Sequence, residues 1–461
     1  MDSLIAKHVV NTKYENLTRE AETATKHHIL HTIATIIAGS NAPGVRAVFD
    51  LAVESGGASE STILVYGNKV PAINAALVNS TMAHAQDYCM NDDRTFYKTS
   101  VVAIPVALAV AERMEEVTGK ELITAVCLGV DLGIRVALAI NPKPAHALSP
   151  MLGGFASTVA AAKLLGLNEE ETLDALGIAY CQVSASGGST LSPSLIKRLQ
   201  PGLAARAGVF STLLAKKGFK SARNVFQGPK GYFVTYHGVE GELKEVTADL
   251  GKRWEIVNVG PKGYPCCRVL HAPIDATLAL VKEHDIRPEE VQRVSVRGSR
   301  DNLFMSPDAI TIEALEKRRH PTGVVDAQFS IPWGVATAIA KREVFIDHFT
   351  EAGIKDPQIH KIAGKVSLFA ERALENRDTM VAPVIVEIET QKRGIFSQRI
   401  DFPKGNPNNP VSMEETKEVF RRCAGYAARP LAINKVDRAV ELVSTLEELD
   451  NVKKLMASLS A

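Results

Sequence analysis

Leu152–Ala185 reads LGGFASTVAAAKLLGLNEEETLDALGIAYCQVSA, and its pattern decides the fold class. Apolar residues recur at helical spacing on both sides of Gly166-Leu167-Asn168. The glycine ends one helix and Asn168 caps the next, with Glu171 three residues on in capping-box register. Two helices joined by three residues leave no room for a strand between them. The same Ala-rich texture predicts helices near 18–39, 43–55, 70–87, 100–116, 120–140, 152–165, 169–185 and 195–217. Thr118-Gly119-Lys120 and Lys217-Gly218 punctuate them. A parallel sheet needs strands alternating with helices, so this half of the chain predicts a helix-on-helix bundle.

The texture changes after about residue 258. Val291–Val296 alternates and is rich in valine, as a strand is. Val381–Thr390 and Ile395–Phe402 flank Gln391-Lys392-Arg393-Gly394 as a hairpin. Helical patterns at Ala272–Glu283 and Ala327–Lys341 lie between them. Pro403–Pro410, PKGNPNNP, is a loop by composition, and helix resumes after Met413. The expected fold is mainly α: a large all-helical domain with an inserted smaller α+β lid domain. Its divisions are 1–258, 259–402 and a 403–461 helical tail that returns to the first domain.

A length of 461 residues exceeds what one core fills, in agreement with two domains. Lys+Arg 53 against Asp+Glu 52 gives a net charge of +1, which argues against a nucleic-acid partner or a polybasic membrane anchor. The run Val101–Ala111 is too short to span a bilayer, and the charged start, MDSLIAKHVVNTKYE, lacks a signal-peptide apolar stretch. The expected location is cytoplasmic, with a removed targeting segment left open. Six cysteines include no C-x-x-C pair, so reduced thiols are expected and no metal site is signalled. Nucleotide-binding and nucleophile-elbow signatures are absent.

Four clusters carry chemistry. His84-Ala-Gln-Asp87 precedes Asp92, Asp93, Arg94 and Lys98; His84 and Asp87 share a helix face, as an acid/base pair or as a helix end before a charged loop. Lys197-Arg198-Leu-Gln-Pro-Gly202 is a carboxylate clamp or a basic helix start; cations there oppose the helix dipole and need another reason. Lys262-Gly-Tyr264-Pro-Cys-Cys-Arg268 with His271 packs reactive side chains into a shaped loop at the expected domain boundary. Asp326-Ala-Gln-Phe-Ser330-Ile-Pro332 reads as a helix start with Asp326 as its cap. His146 reads as loop.

Together these segments resemble the MmgE/PrpD family, whose members include 2-methylcitrate dehydratase, cis-aconitate decarboxylase and iminodisuccinate epimerase. The resemblance runs through Asn79…His84…Asp87, Ala175-Leu-Gly-Ile-Ala, Lys197-Arg198…Gly202-x-Ala-Ala-Arg206-x-Gly208, Tyr264-Pro-Cys-Cys-Arg268-x-x-His271 and Asp326-Ala-Gln-Phe-Ser330. It implies a helical domain closed by the C-terminal tail, an inserted lid, a homodimer, and a site in the interdomain cleft with no metal or organic cofactor. It implies proton transfer next to a carboxylate, with Asp87, Lys197, Tyr264 and His271 catalytic. His84, Lys98, Arg198, Lys262 and Arg268 would bind substrate. Four positions depart from the pattern of the dehydratases and decarboxylases. Cys89 and Met90 replace an acidic pair, Lys98 replaces a histidine, and Ala147 replaces another, with His146 adjacent. The expected activity is a cofactor-independent, dehydratase-like lyase of small di- or tricarboxylates. The alternatives are an isomerase or epimerase of an amino- or imino-dicarboxylate, and a non-catalytic carboxylate-binding relative.

Overall fold

Capping residues set the helical frame. Thr118 and Asn168 each accept from the backbone N–H three residues on, and Glu121 and Glu171 return the bond to the cap backbone. The computed structural model describes every residue except 115, 141–147, 187–193, 239, 242, 305–310, 376–378, 380 and 461. It contains helices α1 (Asp2–Asn11), α2 (Arg19–Gly39), α3 (Val45–Glu54), α4 (Ala72–Ala85), α5 (Ser100–Arg113), α6 (Gly119–Ala139), α7 (Leu148–Leu165), α8 (Glu169–Tyr180) and α9 (Ile196–Lys216). The mainly α fold class read from the sequence is what the chain adopts. Two compact units divide it. One gathers the described parts of 1–189, 195–259 and 412–461, and the other is built on Gly260–Val411.

In the first unit α7 packs on α5 and α6, and α9 packs on α4 and α7. Small residues permit these crossings. A Cβ on Gly202 would stand 2.3 Å from Thr81 Oγ1 and 2.6 Å from Leu77 O, so only glycine lets α9 lie this close to α4. Helix α5 contains Pro105, which has no N–H for the carbonyl of Val101. Ser80 Oγ donates to that carbonyl at 2.6 Å instead and ties α4 to α5. Helices α6 and α7 are long and apolar enough to cross a bilayer by composition, yet the unit buries both as core. The tail helix Met413–Ala424 packs on α2.

Two buried polar groups anchor this core. Arg135, fully buried, donates to Asp131 Oδ2 at 2.6 Å, to Ala248 O at 2.6 Å, and to Arg253 O. Asp131 Oδ1 accepts from Glu255 N at 2.5 Å. His28, also fully buried, has Nδ1 2.7 Å from Ser100 Oγ. Burial, with neighbouring His27 and His31, pushes its pKa down to about 3. A group whose folded pKa lies below its unfolded value binds more protons when unfolded. His28 therefore destabilises the fold as pH falls below about 6.5, by about 1.4 kcal/mol per pH unit until its folded pKa is reached. Chemical denaturation at pH 7 and pH 5 should show a loss of stability that is smaller in His28→Gln. An equal loss in both proteins would contradict this assignment.

The second unit carries a four-stranded sheet of β1 (Val291–Gly298), β2 (Val366–Ala370), β3 (Val384–Thr390) and β4 (Gly394–Ile400), ordered β2-β1-β3-β4. The expected hairpin is β3–β4, antiparallel with Glu387 opposite Ser397 and closed by Gly394 at φ 82°. Alternate residues of β3, among them Val386 and Ile388, are buried, and α10 (His271–Glu283) packs on β3 and β4. Edge strand β2, parallel to β1, has no counterpart in the sequence reading. Two further points differ from that reading. The cap of helix Ile331–Lys341 is Ser330, whose Oγ accepts from Trp333 N at 3.0 Å, whereas Asp326 lies within the short helix Val324–Gln328. Pro332 in the first turn fixes that start. Residues 403–411 fall with the second unit rather than with the tail, because Asp275 Oδ2 accepts from Lys404 N at 2.7 Å and Arg268 donates to Lys404 O at 2.7 Å.

Candidate active site

Helix α4 stops at Ala85, and Asp87 follows in the left-handed region at φ 50°. Glycine is the usual residue there, and aspartate bears a cost on the order of 1 kcal/mol. The conformation is retained together with a specific contact. Lys197 Nζ donates to Asp87 Oδ1 at 2.8 Å, and the two side chains are 9% and 1% exposed. A carboxylate at a helix C-terminus and cations in the first turn of α9 both oppose the helix dipoles. Their pairing supplies the reason that the basic helix start lacked in the sequence.

His84 and Cys89 complete this cluster, with Cys89 Sγ 3.6 Å from His84 Nδ1. Donor atoms of His84, Asp87 and Cys89 lie within 4.8 Å of one another, a spacing that a metal ion would accept. The Lys197 ammonium competes with any such cation for the same carboxylate, so the set fits acid/base chemistry better than ligation. Arg198, beside Lys197, is 2% exposed and donates through Nη1 to Pro43 O at 2.9 Å. Lys98 is turned onto its own loop: Nζ donates to Phe96 O at 2.6 Å and stands 5.4 Å from the Phe96 ring. His146 lies outside the described residues.

In the second unit the third and fourth motifs meet. Cys267 N donates to Gln328 O at 2.8 Å and Gln328 Nε2 to Pro265 O at 3.5 Å, which brackets the 264–268 loop. Within it Tyr264 OH donates to Asp275 Oδ1 at 2.6 Å. Burial holds the Asp275 carboxyl above the usual range, while Tyr264 and Lys404 N pull it back. Arg268 Nη1 is 3.1 Å from His271 Nδ1, and His271 Nε2 is 3.4 Å from Cys266 O. An arginine only donates, so Nδ1 accepts and the ring proton is inferred on Nε2. Both nitrogens are thereby engaged, and the imidazole, fully buried, braces Arg268. Lys262 is also buried.

The structure thus brings His84, Asp87, Lys197 and Arg198 together in one unit, and Tyr264, Arg268 and His271 together in the other. Sequence reasoning missed Asp275, which orients Tyr264. Its signal was available, since Asp275 follows His271 by four residues on one helix face.

The sequence matches the MmgE/PrpD N-terminal domain over residues 3–241 and the MmgE/PrpD C-terminal domain over residues 264–447. It is 24% identical over 455 residues to a cis-aconitate decarboxylase of Aspergillus terreus, covering 94% of this chain and 91% of that protein. It is 25% identical over 403 residues to cis-aconitate decarboxylase of Homo sapiens, covering 84% and 79%. A cis-aconitate decarboxylase-like protein of Aspergillus oryzae is 24% identical over 457 residues, covering 94% and 92%. With both domain matches in sequence order, the chain belongs to the MmgE/PrpD family.

Proposed function

We propose that the chain is a lyase that removes CO2 from a small polycarboxylate, with cis-aconitate as the first substrate to test. The buried Lys197–Asp87 pair carries this reading, supported by full-length relatives named as decarboxylases. In cis-aconitate the departing carboxylate sits on a carbon next to the double bond. Its C–C bond breaks, CO2 leaves, and the electron pair forms a new double bond. Charge moves onto the carboxylate at the far end, whose α-carbon then takes one proton. Such a transition state needs fixed positive charge and a placed proton. The Lys197 ammonium provides both, and Asp87 holds it in register.

Within the second unit by itself, Asp275 orients Tyr264 and His271 positions Arg268. Cys89 and Met90, at positions where the dehydratases and decarboxylases are acidic, favour one second reading, in which a proton is taken from the carbon next to a carboxylate and one is returned to the opposite face, with no CO2 or water lost. Purified protein given cis-aconitate should release one CO2 per molecule consumed. Consumption without CO2 release would overturn decarboxylation.

A further inference from the structure

Arg198 is a large cation inside the first unit with part of its guanidinium unmet. Nη1 is held by Pro43 O, whereas Nε and Nη2 are buried and no described residue accepts from them. Those two N–H groups lie parallel on one edge of the guanidinium plane. This is the edge that a carboxylate takes side-on through both oxygens. A buried donor left unpaired costs stability, so an edge of this kind is expected to have a partner in the working protein. The local charge agrees: Lys197 and Arg198 are adjacent cations, and Lys197 already holds the Asp87 carboxylate. Burial pushes the Arg198 pKa down to about 10, with only Asp87 raising it, which is the sign of a cation short of counter-charge.

We propose that the Nε–Nη2 edge of Arg198 is a carboxylate receptor that binds a substrate carboxylate other than the one being lost, and so selects polycarboxylates over monocarboxylates. This deepens the lyase reading and rests on it for the identity of the ligand. It needs no bond to form or break. Lys197 handles the proton, and Arg198 fixes the substrate beside it.

Thermal shift and steady-state kinetics on Arg198→Met and Arg198→Lys test the proposal, with cis-aconitate, succinate and propionate as probes and inorganic phosphate as the anion control. Wild type should be stabilised by cis-aconitate and succinate, and far less by propionate or phosphate. Arg198→Met should lose that stabilisation, yet melt no lower than wild type without ligand, because it removes an unmet buried cation. Arg198→Lys keeps the charge and loses the fork. Its KM for cis-aconitate should rise about tenfold or more while kcat changes much less.

Four results would overturn the proposal: ligand shifts that survive in Arg198→Met, a ligand-free Arg198→Met that melts well below wild type, an equal Arg198-dependent shift with phosphate, or no shift of wild type by any carboxylate. If cis-aconitate binds through Arg198 and is not turned over, the receptor stands and the decarboxylase reading falls.

Discussion

Lys197→Ala is expected to lower turnover of cis-aconitate about a thousandfold or more. Two effects combine. In the proposed reaction the ammonium is the fixed charge next to the developing carboxylate-stabilised anion, and one such donor contributes about 10²–10³-fold. It is also the placed proton source, worth a further 10²–10⁴-fold where the roles separate. The two are one group here, so the losses overlap and do not multiply. Lys197→Arg keeps the charge and spreads it over a planar group that does not give up a proton, so it should recover binding and little turnover. Folding must be read alongside, since the change leaves Asp87 buried without its 2.8 Å partner. A variant with native circular dichroism and near-wild-type rate would remove Lys197 from the chemistry.

Asp131→Ala is expected to destabilise the protein by about 3–5 kcal/mol in chemical denaturation, the usual cost of breaking a buried ion pair from one side. Arg135 would keep its bonds to the carbonyls of Ala248 and Arg253, but its charge would be uncompensated inside the unit. Glu255 N would lose its acceptor as well. The double variant Asp131→Ala, Arg135→Met removes both charges and should recover much of the loss, which distinguishes an uncompensated charge from a cavity. A loss below about 1 kcal/mol in the single variant, as for a solvated surface pair, would contradict the burial argument.

The helical half was legible because its signals are local. Gly166-Leu-Asn168 carries a cap that acts within four residues, and the helix starts where it predicts; the break at Thr118-Gly-Lys120 was also visible, and there Thr118 proves to be the cap. Strand β2 was not legible. Val366–Ala370 is five residues long, lies at a sheet edge, and gains its identity from parallel pairing with β1 over seventy positions away in sequence. The start of the Ile331–Lys341 helix was misplaced because Asp326 and Ser330 both make acceptable caps, and Pro332 decides between them only through backbone geometry.

At the site, residue types were legible and partnerships were not. Lys197 and Asp87 stand 110 positions apart, and their bond depends on Gly202 letting α9 approach α4. Lys98 stands where the resemblance sets a histidine, and sequence did not show that its Nζ donates to the Phe96 carbonyl of its own loop. The unmet edge of Arg198 has no counterpart in sequence at all, because it is defined by what does not lie beside it.

The proposed placing of a proton by Lys197 and Asp87 during loss of CO2 is open to proton NMR of cis-aconitate with wild-type protein in D2O. Wild type should release CO2 and leave one deuterium on the product methylene carbon next to one of the two remaining carboxylates, and Lys197→Ala should do neither. Deuterium entering unreacted substrate with no CO2 released, or full activity in Lys197→Ala, would contradict it.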